Sequence, residues 1–341
     1  MLRKFDKNLP DLNGKNILVT GATGSFGRAF VKLVLARWKP ARLVVFSRDE
    51  FKQYEMEQTL NSQRHPSLRY FIGDVRDMER LAMAMRNIDI VVHAAALKHV
   101  PTAEYNPFEC IYTNVHGAEN VVRAAIRCNV KRVIALSTDK AVNPVNLYGA
   151  SKLAAEKIFI AANNLTGGDG PRFSVVRYGN VLGSRGSVLP FFKKLVAEGA
   201  DTLPITDKRM TRFWITMRQG VEFVLSSLEL MQGGEVFVPK IPSLKLTDFA
   251  VWLAPNLKQK FIGIRPGEKI HEALLTEDDA PYTLDLDERY VIMPRFRYWT
   301  GTHFDSGGTA LVPEGFRYAS DTNKEWLDQQ DLRDMLKEVD A

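Results

Sequence analysis

Short apolar runs alternate with helical patterns through the first 180 residues. Ile17-Leu18-Val19, Leu43-Val44-Val45-Phe46, Tyr70-Phe71-Ile72, Ile88-Asp89-Ile90-Val91-Val92, Arg132-Val133-Ile134-Ala135-Leu136 and Phe173-Ser174-Val175-Val176 read as strands. They are rich in β-branched residues and several lack a polar face, as expected of strands covered on both sides of a parallel sheet. Between the first two, Phe26, Phe30, Leu33, Val34 and Trp38 recur at helical spacing. The repeated unit predicts an α/β fold, a doubly wound parallel sheet of Rossmann type, with ligands at the carboxyl ends of the strands.

After Asn180 the pattern changes. A glycine-punctuated run, Val181-Leu182-Gly183-Ser184-Arg185-Gly186, precedes a helical pattern over Val188 to Glu198 and a basic segment, Lys208-Arg209-Met210-Thr211-Arg212. Glu235-Val236-Phe237-Val238 is strand-like and is expected to return to the sheet. Residues 277–316 mix Asp, Pro, Gly and aromatics without periodicity and read as irregular or a lid. A last helix is expected from a cap at Asp321 or Thr322 through Trp326, Leu327 and Leu332. The chain thus divides into residues 1–180, dinucleotide-binding, and a smaller region, 181–341, mostly substrate-binding, with no internal repeat.

Composition narrows the partners. The 341 residues are 45% hydrophobic and 25% charged, the balance of a globular protein. Their 46 basic and 40 acidic side chains leave a net charge of +6, which fits nucleic acid, an anionic membrane surface or a phosphorylated small molecule. No apolar run reaches the 18 residues of a membrane span, and the start, Met1-Leu2-Arg3-Lys4-Phe5-Asp6, is too polar for a signal segment, so a cytoplasmic protein is expected. Cys110 and Cys128, about 27 Å apart along one helix-like stretch, are beyond disulfide reach. The six histidines, His65, His93, His99, His116, His271 and His303, form no metal-binding spacing, and no metal is expected. The basic residues lack interleaved aromatics or a helix-turn-helix cue, so nucleic acid is not expected either.

Gly21-Ala22-Thr23-Gly24-Ser25-Phe26-Gly27 follows the first strand and opens the first helix. Glycines at that spacing permit a tight turn and bring the backbone against a pyrophosphate, while the helix N-terminus offers free N–H groups. Gly21, Thr23, Gly24, Ser25, Phe26 and Gly27 are therefore candidate dinucleotide contacts. At the end of the second strand stand Ser47 and Arg48, with Lys52 one turn further on. Arginine there favours the 2′-phosphate of NADP; the competing reading makes Asp49 a ribose ligand of NAD and leaves Arg48 solvated. Gly73-Asp74-Val75 is placed to seat the adenine, and Ala94-Ala95-Ala96 to leave room for the cofactor, unless both are ordinary loop.

The fifth strand ends in Ser137-Thr138-Asp139-Lys140, and Tyr148-Gly149-Ala150-Ser151-Lys152 follows. Tyr148 and Lys152, four apart, share a helical face, where an ammonium beside a phenol lowers its pKa from about 10 and makes a general base. The plainer reading of Asp139 and Lys140 is a surface ion pair. Arg209, Arg212 and Arg265 are candidates for a diphosphate clamp, since guanidinium matches phosphate oxygens, although isolated arginines are usually solvated. His93, at a strand end, reads as structural or cofactor-lining.

The run from Ser137 to Lys152, joined to Gly21–Gly27, Phe46-Ser47-Arg48-Asp49-Glu50, His93–Val100, Arg177-Tyr178-Gly179-Asn180, Arg209–Trp214 and Gly263–Lys269, resembles the extended short-chain dehydrogenase/reductase superfamily. Within it, these blocks are similar to the inverting UDP-N-acetylglucosamine 4,6-dehydratases that open pseudaminic acid biosynthesis and so serve flagellin glycosylation. The resemblance spans residues 12–275; little between Tyr282 and Phe316 matches. It implies a homo-oligomeric hydro-lyase that uses NADP and yields a 6-deoxy-4-keto sugar nucleotide of β-L-arabino configuration.

The resemblance also implies roles. Tyr148, with Thr138 and Lys152, takes the 4-hydroxyl proton as hydride leaves C4. Lys140, lowered in pKa by burial or by Lys152, takes the C5 proton. Asp139 protonates or positions the departing C6 hydroxyl, and reprotonation of C5 from the opposite face inverts it. Arg212 and Arg265 become phosphate ligands, Glu268 a ribose contact, Asn180 a sugar or phosphate contact, and Lys98 a residue at the cofactor–substrate border. The Asp139-Lys140 pair discriminates: a UDP-sugar 4-epimerase needs no such pair, and glucose-nucleotide dehydratases of the superfamily carry Asp-Glu here. The alternatives are that epimerase and a non-catalytic NADP-sensing regulator.

Overall fold

A computed structural model of the chain describes residues 3–296, 299, 304 and 307–340; His303 lies outside the described residues. The first half forms β1 (Asn16–Thr20), α1 (Ser25–Arg37), β2 (Arg42–Ser47), α2 (Glu50–Thr59), β3 (Leu68–Ile72), α3 (Met78–Ala84) and β4 (Ile90–His93). It continues through α4 (Val100–Tyr105), α5 (Pro107–Ile111), α6 (Gly117–Arg127), β5 (Arg132–Thr138), α7 (Leu147–Ala162) and β6 (Arg172–Tyr178). Beyond it come β7 (Asn180–Val181), α8 (Val188–Ala197), β8 (Thr202–Ile205), β9 (Thr211–Ile215), α9 (Met217–Leu230) and β10 (Val236–Pro239). The chain closes with β11 (Ser243–Lys245), α10 (Leu246–Leu253), β12 (Lys258–Phe261), β13 (Ala273–Leu275), β14 (Thr283–Asp285), β15 (Arg289–Ile292), β16 (Tyr318–Ala319) and α11 (Gln329–Asp340).

One nine-stranded sheet runs in the order β14-β15-β10-β6-β5-β4-β1-β2-β3. All neighbours from β3 to β10 are parallel, whereas β15 is antiparallel to β10 and β14 to β15. Strand order reverses between β1 and β4, which opens the crevice where a doubly wound sheet takes its ligand. Helix packing covers both faces, so Leu18, Val45, Val91, Ile134 and Val175 are all buried in one core. A second core gathers Leu189, Phe192, Trp214, Phe249, Leu327 and Met335, with Trp214 stacked on Phe249 at 4.7 Å between ring centres. The strand expected over 235–238 is β10 and does lie in the main sheet, beside β6.

Two expectations change. Residues 277–316 are not wholly irregular: β14 and β15 form an antiparallel hairpin on the main sheet. Its signal is masked by Arg289, which is 1% exposed and held by Ser226, Ser227 and Glu288. The last helix starts at Gln329, not near Asp321. Leu327 N–H donates to Ser243 O, and Asn323 Nδ2 donates to Ile241 O and Ser243 Oγ, holding the preceding segment extended beside β11. Asp328 then receives Asp331 N–H at 2.8 Å and opens α11.

Candidate active site

The turn after β1 is built on close approaches. Gly21 has φ +63°, and a Cβ there would fall 2.7 Å from Ala95 N; a Cβ on Gly27 would collide with Ala22 Cα. Gly24 precedes α1 with no side-chain capping bond, so the first-turn amides near Ser25, Phe26 and Gly27 stay open to an anion. Ser25 Oγ accepts a bond from Arg185 N at 3.1 Å, Thr23 is buried, and Phe26 stacks on Phe30. Across the crevice, Thr20 Oγ1 bonds His93 Nδ1 at 2.8 Å and accepts Ala94 N and Ala95 N, tying β1 to β4. Burial, then the Lys152 charge, lowers the His93 pKa to about 3, so the ring is a neutral structural group.

At the end of β2, Ser47 is buried and held by Gln53 Nε2. Asp49 caps α2, accepting Lys52 N at 3.0 Å and pairing with Lys52 Nζ at 2.8 Å. Arg48 instead stays exposed, 3.9 Å from Asp74 Oδ2. Asp74 itself feels opposing effects: burial raises its pKa, while Arg76, with Arg48 beyond, brings it below the ordinary value. Val75 packs against Gly117, where a Cβ would fall 2.8 Å from its Cγ2.

The second half of the site forms where β5 meets α7. Asn146 caps α7 by accepting Gly149 N at 2.7 Å, and Gly149 leaves no room for a Cβ against Lys140 O. That close packing lays the turn 139–141 on α7. Asp139 is 0% exposed, so the surface ion pair is excluded. Its Oδ1 accepts Thr138 Oγ1 at 2.9 Å and Lys140 Nζ at 3.0 Å, while Oδ2 is buried without a partner. A second carboxylate, Glu272, approaches Lys140 Nζ at 3.6 Å.

These neighbours reverse two electrostatic expectations. Burial alone would lower the Lys140 pKa, but Asp139 and then Glu272 outweigh it, and Lys140 rests as an ammonium above its ordinary value. Burial likewise raises Tyr148, to about 12; the Lys140 charge and the Thr138 hydroxyl oppose it incompletely. Lys152 does not supply the cation: its Nζ donates to Leu136 O at 2.7 Å, and burial lowers it to about 8 against the pull of Glu156. Lys98 opens onto the same cluster, lowered by burial and by Lys140.

The phosphate candidates separate. Arg212, 8% exposed, donates to Thr211 O, Ile270 O and Lys269 O, and among the described residues no carboxylate pairs with it. Its charge reaches Lys140. Arg209 points elsewhere and is doubly bonded to Asp207, at 3.0 and 2.8 Å. Asn180 lies in β7 beside Trp214. Arg265 is exposed, 3.9 Å from Glu268, whose Oε2 is buried without a partner. This loop docks on the segment between β5 and α7 through Asn146 Nδ2 to Gly267 O at 2.7 Å and Lys269 Nζ to Val142 O at 2.6 Å.

Three groups escaped the sequence reading. Asn114, in a π-helical turn between α5 and α6, exchanges two bonds with the Leu97 backbone and donates to Ser151 Oγ, fixing the Lys98 loop to α7. Glu156 and Arg177 form a buried pair at 2.7 Å, joined by Ser137. Glu272 follows Glu268 by four residues at the edge of an apolar run, a weak cue for a buried carboxylate.

A parallel doubly wound sheet, a glycine cradle at its switch point and a Tyr–Lys helix beside a strand-end threonine define a dinucleotide-dependent enzyme of the short-chain dehydrogenase/reductase type. The family model described as polysaccharide biosynthesis protein matches residues 17–294, and the chain belongs to that family within the extended short-chain dehydrogenases/reductases. It is 55% identical, over 96% of its length and 99% of the relative's, to a UDP-N-acetylglucosamine 4,6-dehydratase (inverting) of Campylobacter jejuni subsp. jejuni serotype O:23/36. A UDP-glucose 4-epimerase of Rickettsia bellii is 43% identical over 82% of each chain. The X-ray structure of Pen from Bacillus thuringiensis superposes with a TM-score of 0.87 at 36% identity, covering 96% of this chain and 99% of that one. Among the described residues no helix is long and apolar enough to cross a membrane.

Proposed function

We propose that this chain dehydrates UDP-N-acetylglucosamine across C4 to C6 with inversion at C5, using NADP, as the first step of pseudaminic acid biosynthesis. The observation that carries the reading is the pair of buried Asp139 and half-buried Lys140 next to Tyr148, an acid–base pair beyond what C4 oxidation requires. The 55% identical Campylobacter relative, named for this reaction, supports it. The division of labour follows: residues 1–180 hold the dinucleotide and the proton-transfer groups, and most of 181–341 frames the sugar nucleotide.

The turn of Gly21, Gly24 and Gly27 fits a dinucleotide because Gly21 and Gly27 leave no room for a Cβ against Ala95 and Ala22, which keeps the turn tight, and the first-turn amides of α1 have no side-chain cap. Bound there, a nicotinamide supplies a hydride acceptor at C4 and a hydride donor at C6. The chain moves the protons. Tyr148 takes the 4-hydroxyl proton, with Thr138 orienting the oxygen. Transfer of one proton over the 3.0 Å from Lys140 Nζ to Asp139 Oδ1 turns the ion pair into a neutral amine and a carboxylic acid without changing net charge. The amine then accepts the C5 proton, made acidic by the 4-ketone, and the acid protonates the departing C6 oxygen, restoring the ion pair. Arg212 and Arg265 neutralise the diphosphate, with Asn180 and Glu268 on the sugar and ribose and Lys98 at the border with the cofactor.

NMR of the product from UDP-N-acetylglucosamine tests the reading: a 6-methyl signal and a 4-keto carbon are expected, with C5 couplings of the inverted centre. A product keeping its C6 hydroxyl instead makes the chain a UDP-sugar 4-epimerase, the reading that the Rickettsia relative favours. NADP preference rests on Arg48, because Asp49 is committed to capping α2. Arg48→Ala is expected to weaken NADPH binding about tenfold to a hundredfold while leaving NADH within about twofold. Equal losses for both dinucleotides in a fluorescence titration would remove Arg48 from the 2′-phosphate.

A further inference from the structure

Lys140 is held from more than one side. Its own turn brings Asp139 to 3.0 Å, and the segment leading into β13 brings Glu272 to 3.6 Å. Arg212 on β9, Lys98 after β4 and Tyr148 on α7 are the other titratable or charged groups whose influence reaches this cluster. Glu272 is 2% exposed, and its backbone is fixed by Glu272 N to Ser320 Oγ at 2.9 Å and by Ser320 N to Glu272 O at 2.8 Å. Its Oε2 lies 3.4 Å from Lys269 Nζ, and Lys269 donates to Val142 O in the loop after the catalytic turn. A buried carboxylate so anchored, with Oε1 directed at a lysine that already has a carboxylate partner, is not needed merely to neutralise that lysine.

We propose that Glu272 is a positioning residue for the dehydration step, which orients Lys140 toward the reacting carbon and stabilises the ammonium formed when Lys140 removes the C5 proton. The inference rests on the dehydratase reading. In the step concerned, the C5–H bond breaks, its electron pair enters the enolate of the 4-ketone, and the proton forms an N–H bond on the Lys140 amine. Positive charge thus appears 3.6 Å from Glu272 Oε1. Asp139 does not fill this part alone, because until its proton reaches the C6 oxygen it is a neutral acid and offers the new ammonium no anion. The logic is that of a carboxylate that orients a catalytic base and stabilises its protonated form. It also explains why the group comes from the C-terminal region: the loop that carries Arg265 and Glu268 carries the clamp on the base a few residues later, so seating the sugar nucleotide and setting the base are one structural event.

Glu272→Gln and Glu272→Asp test this in the full chain. Competitive acetylation with trace acetic anhydride at pH 9, read by mass spectrometry at Lys140 against exposed Lys131, reports how firmly the ammonium is held without requiring turnover. In Glu272→Gln, Lys140 acetylation is expected to rise about tenfold, and kcat for the 6-deoxy-4-keto product to fall about tenfold or more with KM within about twofold. Glu272→Asp is expected to restore part of both effects, and it decides the matter alone should Glu272→Gln not fold. Wild-type acetylation of Lys140 in a folded Glu272 variant overturns the proposal. Wild-type protein that forms no 6-deoxy-4-keto sugar overturns the dehydratase reading instead, and the acetylation contrast still decides whether Glu272 holds Lys140.

Discussion

Lys140→Ala is expected to abolish formation of the 6-deoxy-4-keto product, lowering the rate by about 10²–10⁴-fold, the usual worth of a positioned general base. The variant is expected to fold and to retain NADP, because Lys140 belongs to the turn after β5 and not to the glycine turn after β1. Its removal does leave Asp139 and Glu272 as two buried carboxylates without their shared cation, and such a site relieves itself by taking up a proton. Lys140→Arg separates the two roles of the residue. It keeps the charge between the carboxylates, yet guanidinium does not release a proton near neutral pH. Lys140→Arg should therefore fold without that proton uptake, and turnover should not return. NMR of the reaction in deuterated water is the measurement, and near-normal product formation by either variant removes Lys140 as the base at C5.

The largest effect on stability is expected at Arg177. Its Nε and Nη2 bond both oxygens of Glu156, at 3.2 and 2.7 Å, and its Nη1 donates to Leu274 O at 2.9 Å, with Asp279 at 3.6 Å. Glu156 in turn accepts the Ser137 hydroxyl. The pair joins α7, which carries Glu156, and β6, which carries Arg177, to the segment carrying β13. Arg177→Met leaves Glu156 buried with only a hydroxyl partner, and losing one member of such a pair costs about 3–5 kcal/mol. The double variant Glu156→Gln/Arg177→Met removes the stranded charge and should recover most of that loss. Urea unfolding of the three proteins checks the claim; a single variant within about 1 kcal/mol of wild type refutes it.

Much of the architecture was legible along the chain because its strands are buried on both faces. β1, β2, β4 and β5 have nothing but apolar residues at most positions, and no tertiary context competes with that signal. The glycine motif was legible for the same reason: collisions of a Cβ with Ala22 and Ala95 leave few other residues possible. The hairpin of β14 and β15 was not, since strands of three and four residues give too few alternations to show a period, and a buried Arg289 breaks the pattern.

In the site, residue types were legible and charge states were not. Thr138, Asp139, Lys140 and Tyr148 do converge, but the state of Lys140 is set by Glu272, more than a hundred residues away. Spacing on α7 places Tyr148 and Lys152 on one face, yet the Lys152 ammonium is drawn to Leu136 O, so Lys140 becomes the cation that acts on the phenol. Arg209 and Arg212 look alike in a basic run. Asp207, two residues before Arg209, takes the former, and the backbone carbonyls around Ile270 take the latter.

The position of β10 also governs how the protein is made. On the ribosome β6 is complete at Tyr178, but the strand that pairs with its outer edge begins only at Val236. At about 5–20 residues per second, the nascent chain presents the C=O of Phe173 and the N–H of Val175, which later bond Gly234 and Glu235, unpaired for several seconds. An open apolar edge of that kind is a template for pairing with another chain. Expression yield in a heterologous host is therefore expected to depend on translation speed through residues 179–235 and on chaperones that shield β6 until β10 arrives, and a yield insensitive to both would count against it.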